Sequence, residues 1–250
     1  MIATRLSTWG VGLMISMLLL GTCRADNLII GVESTKYYPH YDSDGDTYFG
    51  FARELLDLFA KQNHHQISYR IFPVERLYSS YLQGDVDFKY PDNPTWRKDL
   101  KKNNAIIYSQ AVASYTDGLM VKPEKLSIHD PSQLKMISTM LGFTVFDYLP
   151  YQQHGLEINY NTSIIGALEQ TLIDRVDGTY LNVDVARYHL THNLKNPNGL
   201  VFNRNLPYTH SSYFLSTIKR ADIIKQFNRF LIDNQAQIIQ MKAKYGIFED

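Results

Sequence analysis

The fold is limited above all by an alternation of apolar strands and amphipathic helices that occurs twice along the chain. In the first run, an apolar β-branched segment at 27–33 predicts a buried strand, and apolar residues at helical spacing predict a helix over 51–62. A strand at 66–72, a helix over 74–82 and a strand at 86–90 follow. Strands that alternate with helices predict an α/β layer with a mainly parallel sheet.

The alternation then starts again in the second half of the chain. It predicts strands at 135–139, 157–160 and 177–181, and helices over 143–151, 163–174 and 184–191. A strand at 213–218 and a long helix that begins near Asp222 come last. We therefore expect two α/β units, between which the chain crosses twice, near 114–116 and near 209–213.

Composition excludes several classes of protein. With 44% hydrophobic and 20% charged residues, the chain fits a globular protein of one or two domains. Its 25 basic and 25 acidic residues give a formal charge of zero, which argues against a general nucleic-acid binder. A single cysteine excludes a disulfide-stapled scaffold.

Residues 1–25 have the pattern of a secretory signal peptide. Arg5 precedes an apolar stretch that is too short to span a bilayer comfortably, and small residues then offer a cleavage site after Ala25. Processing as a lipoprotein at Cys23 is the alternative, although Thr22 makes a poor lipobox. We expect export to the periplasm.

Other motifs give weaker signals. The acidic segment 42–46 is similar to a calcium loop, but its glycine is two positions early, so a hairpin turn is favoured. The histidine pairs lack a third ligand at a metal spacing, and there is no phosphate loop or nucleophile elbow. We expect no catalytic residue, metal or cofactor.

A series of short motifs in a fixed order carries a more specific signal. It comprises the strand 28–33, Tyr37-Tyr38-Pro39, Gly50-Phe51, Gln83-Gly84-Asp85-Val86-Asp87, Gly142-Phe143-Thr144, Arg175-Val176-Asp177-Gly178 and Lys244-Tyr245-Gly246. The series resembles the bacterial extracellular solute-binding proteins of family 3. These are periplasmic receptors for polar amino acids that serve ABC importers.

The resemblance implies the type II periplasmic-binding-protein fold, in which two α/β lobes are joined by two hinge strands. The first lobe would comprise 26–114 and 212–250, and the second would comprise 117–208. A ligand would bind in the cleft between them, and closure of the hinge would satisfy its polar groups from both lobes.

The same resemblance implies three ligand-binding residues. Tyr37 would pack over the ligand, or else be a surface tyrosine. Arg97 would clamp a carboxylate with its planar guanidinium, or else be a solvated arginine. Thr144 would offer the carboxylate a hydroxyl and a backbone N–H at a helix start, or else only cap that helix.

The residue that binds the ligand's ammonium group is left open. The family places an aspartate five residues after Asp177, where this chain has Asn182. Asp184, two residues later, is the alternative. Glu33 follows the first strand, where some family members carry an acid for a basic ligand side chain.

The segment 89–96 departs further from the family, which has small Ser/Thr residues there. Its Lys89 and Tyr90 would bring charge and bulk into the cleft. Asp92 could hold an ammonium group, and Lys89 or Arg76 an additional carboxylate. Alternatively, the two prolines only shape a rigid loop.

We therefore expect a monomeric receptor that binds a small polar ligand, an amino acid or a related amine or acid. It would deliver the ligand to an inner-membrane ABC permease and would bind no nucleic acid. A partner role for a membrane sensor is the first alternative. A periplasmic lyase or dehydratase is the second, but the sequence shows no evident acid–base pair.

Overall fold

A computed structural model of the chain describes residues 26–143 and 145–247. The predicted signal peptide and Thr144 lie outside the described residues. Among the residues that are described, no helix combines the length and apolarity that crossing a membrane requires.

Helices and strands alternate along the described chain. The strands are β1 (Asn27–Glu33), β2 (Asp42–Asp44), β3 (Thr47–Phe49), β4 (Gln66–Phe72), β5 (Phe88–Asp92), β6 (Ile107–Tyr108), β7 (Ala113–Val121), β8 (Met136–Met140), β9 (Glu157–Asn161), β10 (Gly178–Asn182), β11 (Val201–Phe202) and β12 (Thr209–Thr217). The helices are α1 (Phe51–Gln62), α2 (Val74–Gln83), α3 (Lys98–Lys101), α4 (Leu149–Gln152), α5 (Ile164–Leu172), α6 (Val183–His192), α7 (Ala221–Asp233) and α8 (Gln235–Tyr245).

Eight strands form one continuous path in the order β4-β1-β5-β12-β7-β10-β8-β9. In the first lobe, β1 lies between β4 and β5 and is parallel to both. In the second lobe, β8 lies between β9 and β10 and is again parallel to both. The two runs of strands and helices thus fold in the same order, which confirms the predicted α/β class.

The lobes are joined by the two longest strands, β7 and β12. These strands are antiparallel, with Ala113 opposite Tyr213 and Asp117 opposite Thr209. β12 also pairs with β5 of the first lobe, and β7 with β10 of the second. The predicted crossings near 114–116 and 209–213 fall on this pair of strands, while the lobe boundaries stay a prediction.

Helix α1 shows why the local pattern predicts the elements of the first lobe well. Its residues Phe51, Leu55 and Phe59 are buried on one face, as the sequence spacing requires. The Phe59 ring meets Phe227 of α7 edge-on at 5.1 Å. The 51–62 helix is confirmed at both ends.

The predicted helix over 143–151 is wrong. This segment holds a short 3-10 turn at Phe146–Tyr148 and the four-residue helix α4. Pro150 explains the difference, because proline is tolerated only in the first turn of a helix. The predicted turn at 42–46 is confirmed as the β2–β3 hairpin.

Candidate functional site

The carboxyl ends of the central strands of both lobes meet at one junction. β1 leads into the loop that carries Tyr37, and β8 leads into the segment that carries Phe143. The two rings meet edge-on, with their centroids 5.8 Å apart, so they connect the lobes. In open α/β sheets, ligands bind in the crevice at this end of the strands.

The side chains that meet here form a group that we call the junction cluster. Its members are Tyr37, His40, Trp96, Tyr115, Asp117, Asn182 and Tyr213. They come from two loops of the first lobe, from both joining strands and from the end of β10. No short stretch of sequence contains them all.

The loop that carries Tyr37 is fixed by the start of α1. The α1 helix has no side-chain cap, and its first N–H groups donate instead to the carbonyl oxygens of Pro39, at 3.1 Å, and His40, at 2.9 Å. Gly50 allows this approach. Its φ of 104° is left-handed, and a Cβ there would lie 2.9 Å from the Tyr41 Cα.

Aromatic rings line the joining strands. Tyr115 and Tyr213 stack with centroids 4.5 Å apart and an interplanar angle of 18°. Trp96 packs against both, at 6.1 Å and 6.0 Å. The imidazole of His40 meets Tyr213 edge-on at 5.2 Å. The result is a continuous aromatic surface that joins the first lobe to the joining strands.

Asp117 is the acidic side chain of this surface. It lies two residues after Tyr115 on β7, and therefore on the same face of the strand. Its Oδ1 atom is buried and has no hydrogen-bond partner among the described residues. Burial raises the pKa of Asp117 to about 7, against the lowering effect of a hydrogen bond with Asn182.

Four tyrosines face the Asp117 carboxylate. After burial, the negative charge of Asp117 is among the causes that raise the pKa of Tyr37, Tyr115, Tyr180 and Tyr213. These hydroxyls stay protonated at neutral pH and can only donate or accept hydrogen bonds. The carboxylate is therefore surrounded by neutral rings.

His40 lies at the contact of the two lobes. It is 1% exposed, and neither ring nitrogen has a well-formed hydrogen bond among the described residues, although the Asn182 side chain is close enough to favour the protonated ring. The nearest carboxylate oxygen is that of Asp184 on α6, 3.8 Å from Nε2. Burial lowers the pKa of His40 to about 3, so the ring is neutral at physiological pH.

Asn182 and Asp184, the two candidates for the ammonium site, both lie at the start of α6. Asn182 is fully buried and caps the helix, since its Oδ1 accepts from the Val185 N–H at 3.0 Å. Its Nδ2 lies 3.5 Å from the Tyr213 hydroxyl. Asp184 lies 3.8 Å from Arg187 as well as from His40.

Tyr37 is 3% exposed and stacks on Tyr41 at 5.3 Å. It is therefore part of the core at the junction and not a surface tyrosine. Its place beside Phe143 and Asn182 suits a ligand-packing role, which stays a prediction.

The two candidate arginines make their contacts elsewhere. The Arg97 guanidinium forms an ion pair with Glu75 of α2 and lies 3.6 Å from Asp99. Arg76 is exposed, with its guanidinium 5.8 Å from the Phe72 ring centroid. A carboxylate clamp by Arg97 would require the pair with Glu75 to open.

The segment 89–96 contributes to a buried ion network. Asp92 is fully buried, and its Oδ1 lies 2.6 Å from Lys101 Nζ and 3.6 Å from Lys89 Nζ. Its Oδ2 accepts from the Ser216 hydroxyl at 2.7 Å. Both oxygens thus have partners within the first lobe. Lys89 also lies 3.8 Å from Glu33.

Glu33 and Tyr90 are buried beside this network. The Glu33 carboxylate accepts from the Tyr41 hydroxyl at 2.8 Å. Burial raises the pKa of Glu33, and the charge of Lys89 opposes this effect. Tyr90 is 1% exposed within β5. These contacts give Lys89, Asp92 and Glu33 a structural role within the first lobe.

Sequence reasoning missed His40, Asp117, Tyr115, Tyr213 and Lys101. The joining strands show no motif around Asp117, and only the pairing of β7 with β10 brings it to Asn182. Among residues 26–143 and 145–247, no group of three histidine, cysteine or acidic side chains could hold a metal ion.

Comparison with known proteins gives relatives by structure alone. No protein-family model and no curated protein matches the chain. An arginine transport-system periplasmic binding protein from Legionella pneumophila is 15% identical, with a TM-score of 0.68, over 88% of this chain and 100% of that one. A histidine kinase sensor domain is 16% identical, with a TM-score of 0.69, over 90% and 98%.

An ancestral amino acid-binding protein, a precursor of cyclohexadienyl dehydratase, is also similar. It is 16% identical, with a TM-score of 0.66, over 88% of this chain and 94% of that one. At these identities the likeness shows the fold alone. The two-lobe periplasmic-binding-protein fold implied by the motif series is confirmed.

Proposed function

We propose that the protein is a solute-binding receptor whose small polar ligand lies at the junction cluster. One observation carries this proposal. The strand ends of both lobes and both joining strands bring ring faces, amides and a carboxylate to a single place between the lobes. A ligand there would contact both lobes and favour the closed form.

The binding residues that the resemblance implies differ in how close they lie to the junction cluster. Tyr37, Asn182 and Asp184 lie at or next to the junction. Thr144 lies outside the described residues, so its proposed role rests on the resemblance alone. Arg97 would act only after it leaves Glu75.

The proposed setting is the periplasm, with delivery to an inner-membrane ABC permease. The signal-peptide pattern of residues 1–25 and the likeness to a transport-system binding protein support it. The likeness to a histidine kinase sensor domain favours one second candidate, a receptor that reports its ligand to a membrane signalling protein. The binding step is the same in both cases.

A thermal-shift screen of the purified protein tests the receptor role. The panel is amino acids, polyamines, quaternary amines and small organic acids. A ligand at about 1,000 times its dissociation constant adds roughly 4 kcal/mol to stability, a shift of about 8–16 °C for a chain of this length. No shift with any class would contradict the proposal, and turnover of a bound compound would replace it with an enzyme.

A further inference from the structure

We propose that the junction cluster recognises an organic cation, with Asp117 as the counter-charge and Trp96, Tyr115 and Tyr213 as the aromatic surface against which the cation lies. The cation would be an ammonium or guanidinium head group. This inference rests on the proposed receptor function and narrows its ligand to one charge class.

Asp117 has an unpaired oxygen among the described residues. A buried carboxylate oxygen is ordinarily paired, because an unpaired buried charge costs several kcal/mol. The Oδ1 of Asp117 has no hydrogen-bond partner in the part of the chain that the structure describes. In contrast, both oxygens of the buried Asp92 are bonded. A ligand N–H would give Asp117 the partner that the fold does not.

The aromatic rings beside Asp117 are suited to a cation. A cation within about 6 Å of a tryptophan or tyrosine ring face is stabilised by the ring quadrupole. Trp96, Tyr115 and Tyr213 pack against one another, and Asp117 acts electrostatically on both tyrosines.

The titratable groups around the junction cluster include no cation that is paired with Asp117 among the described residues. His40 is neutral at physiological pH, and the four tyrosine hydroxyls are protonated. Asp184 lies next to His40, and its charge is shared with the Arg187 guanidinium at 3.8 Å. The guanidinium of Arg97 is paired with Glu75 and Asp99. Two buried lysines are also close: Lys89, which lies between Glu33 and Asp92, and Lys242, whose charge helps to lower the pKa of His40. Among the described residues, neither lysine pairs with the Oδ1 of Asp117, so this oxygen favours a cationic head group over an anionic one.

Cation–neutral isosteres provide the test. We would titrate the protein calorimetrically with three matched pairs: butylguanidinium and butylurea, choline and 3,3-dimethyl-1-butanol, and putrescine and 1,4-butanediol. The members of a pair have similar size but differ in charge. We expect at least one cation to bind, at least tenfold more tightly than its neutral counterpart.

Substitutions then test whether Asp117 is the counter-charge of the bound cation. Asp117→Asn keeps the shape of the side chain and should weaken binding of that cation by tenfold or more. Asp46→Asn, which removes an exposed carboxylate at the β2–β3 turn, is the matched control and should leave binding unchanged.

A second pair of variants tests the rings without touching the carboxylate. Trp96 is partly exposed, so its replacement is compatible with folding. Trp96→Phe keeps a ring face and should retain most of the affinity, whereas Trp96→Leu should lose several-fold more. Equal affinities in the two variants would remove the aromatic part of the proposal.

The outcomes distinguish failure of the cation site from failure of the receptor function. Tight binding of a neutral or anionic compound, or a cation whose affinity is unchanged in Asp117→Asn, overturns the cation site and leaves the receptor standing. Failure of every compound, including the wider thermal-shift panel, contradicts both.

Discussion

Two titratable side chains of the junction cluster oppose each other: Asp117, which is partly buried, and His40, which is fully buried. Asp117, with its pKa raised to about 7, destabilises the fold when it is ionised. His40, with its pKa lowered to about 3, destabilises the fold when it is protonated. Neither effect is visible in the sequence, because each depends on burial created by residues far away along the chain.

The pH dependence of stability should reveal this opposition. From about pH 4 to 6.5, Asp117 holds a proton only in the folded state, and His40 only in the unfolded state. Their contributions to the slope, about 1.4 kcal/mol per pH unit each, therefore cancel. Asp117→Asn should leave stability rising with pH over this range, and His40→Phe should leave it falling up to about pH 7.

Urea unfolding at a series of pH values measures these slopes. The wild type supplies the matched reference, since other groups titrate alike in all three proteins. Identical pH profiles for the wild type and Asp117→Asn would show that Asp117 titrates as an ordinary carboxylate.

Among the secondary-structure elements, local periodicity predicts β1 and α1 well, because the residues that form the buried face of each lie close together in the sequence. It fails for the ion network of Asp92. Lys101 lies on the four-residue helix α3 in a charged segment, and nothing in its spacing marks it as buried. Likewise, β7 begins at Ala113, although continuous apolar residues mark only its end, at Leu119–Val121.

Loss of Lys101 should be costly. Lys101→Met leaves Asp92 buried with a weakened set of partners, and removal of one member of a buried ion pair costs about 3–5 kcal/mol of stability. Lys102→Met, at the exposed neighbouring position, is the matched control and should change stability by less than about 0.5 kcal/mol. Denaturant unfolding measures both. Similar values would show that the network contributes little.

Gly50 is the point at which α1 and the Tyr37 loop meet. Gly50→Ala requires a Cβ in a left-handed conformation and against the Tyr41 backbone, so we expect a loss of about 2 kcal/mol or more. Gly45→Ala is also left-handed but has open space around it, and it separates backbone strain from steric contact. Equal losses in the two variants would mean that the close approach at Gly50 is unimportant.

Across the protein, contacts between the lobes hold the junction together. Tyr38 of the first lobe meets Tyr188 of α6 at 4.4 Å, and Tyr37 meets Phe143 of the second lobe at 5.8 Å. The order of strands and helices along the sequence predicts that two lobes exist. It does not predict which side chains meet between them, because that depends on how the lobes close over the joining strands.

Removal of one such contact should weaken ligand binding from a distance. Tyr188→Ala removes a ring contact worth roughly 0.5–1.5 kcal/mol, which corresponds to about a 2- to 13-fold rise in Kd, chiefly through faster dissociation. Tyr160→Ala, at an exposed position on β9, is the control. An unchanged dissociation rate in Tyr188→Ala would show that this contact does not stabilise the bound state.

The most direct test of a ligand held between two lobes is the distance between the lobes. Spin labels at Asp46→Cys and Gln153→Cys, both exposed, mark the first and second lobe. Pulsed electron paramagnetic resonance would give the distance alone and with saturating butylguanidinium, choline or putrescine. We predict a shorter mean distance or a narrower distribution with at least one of these cations, and loss of that change in Asp117→Asn. An unchanged distribution with all three would contradict the account.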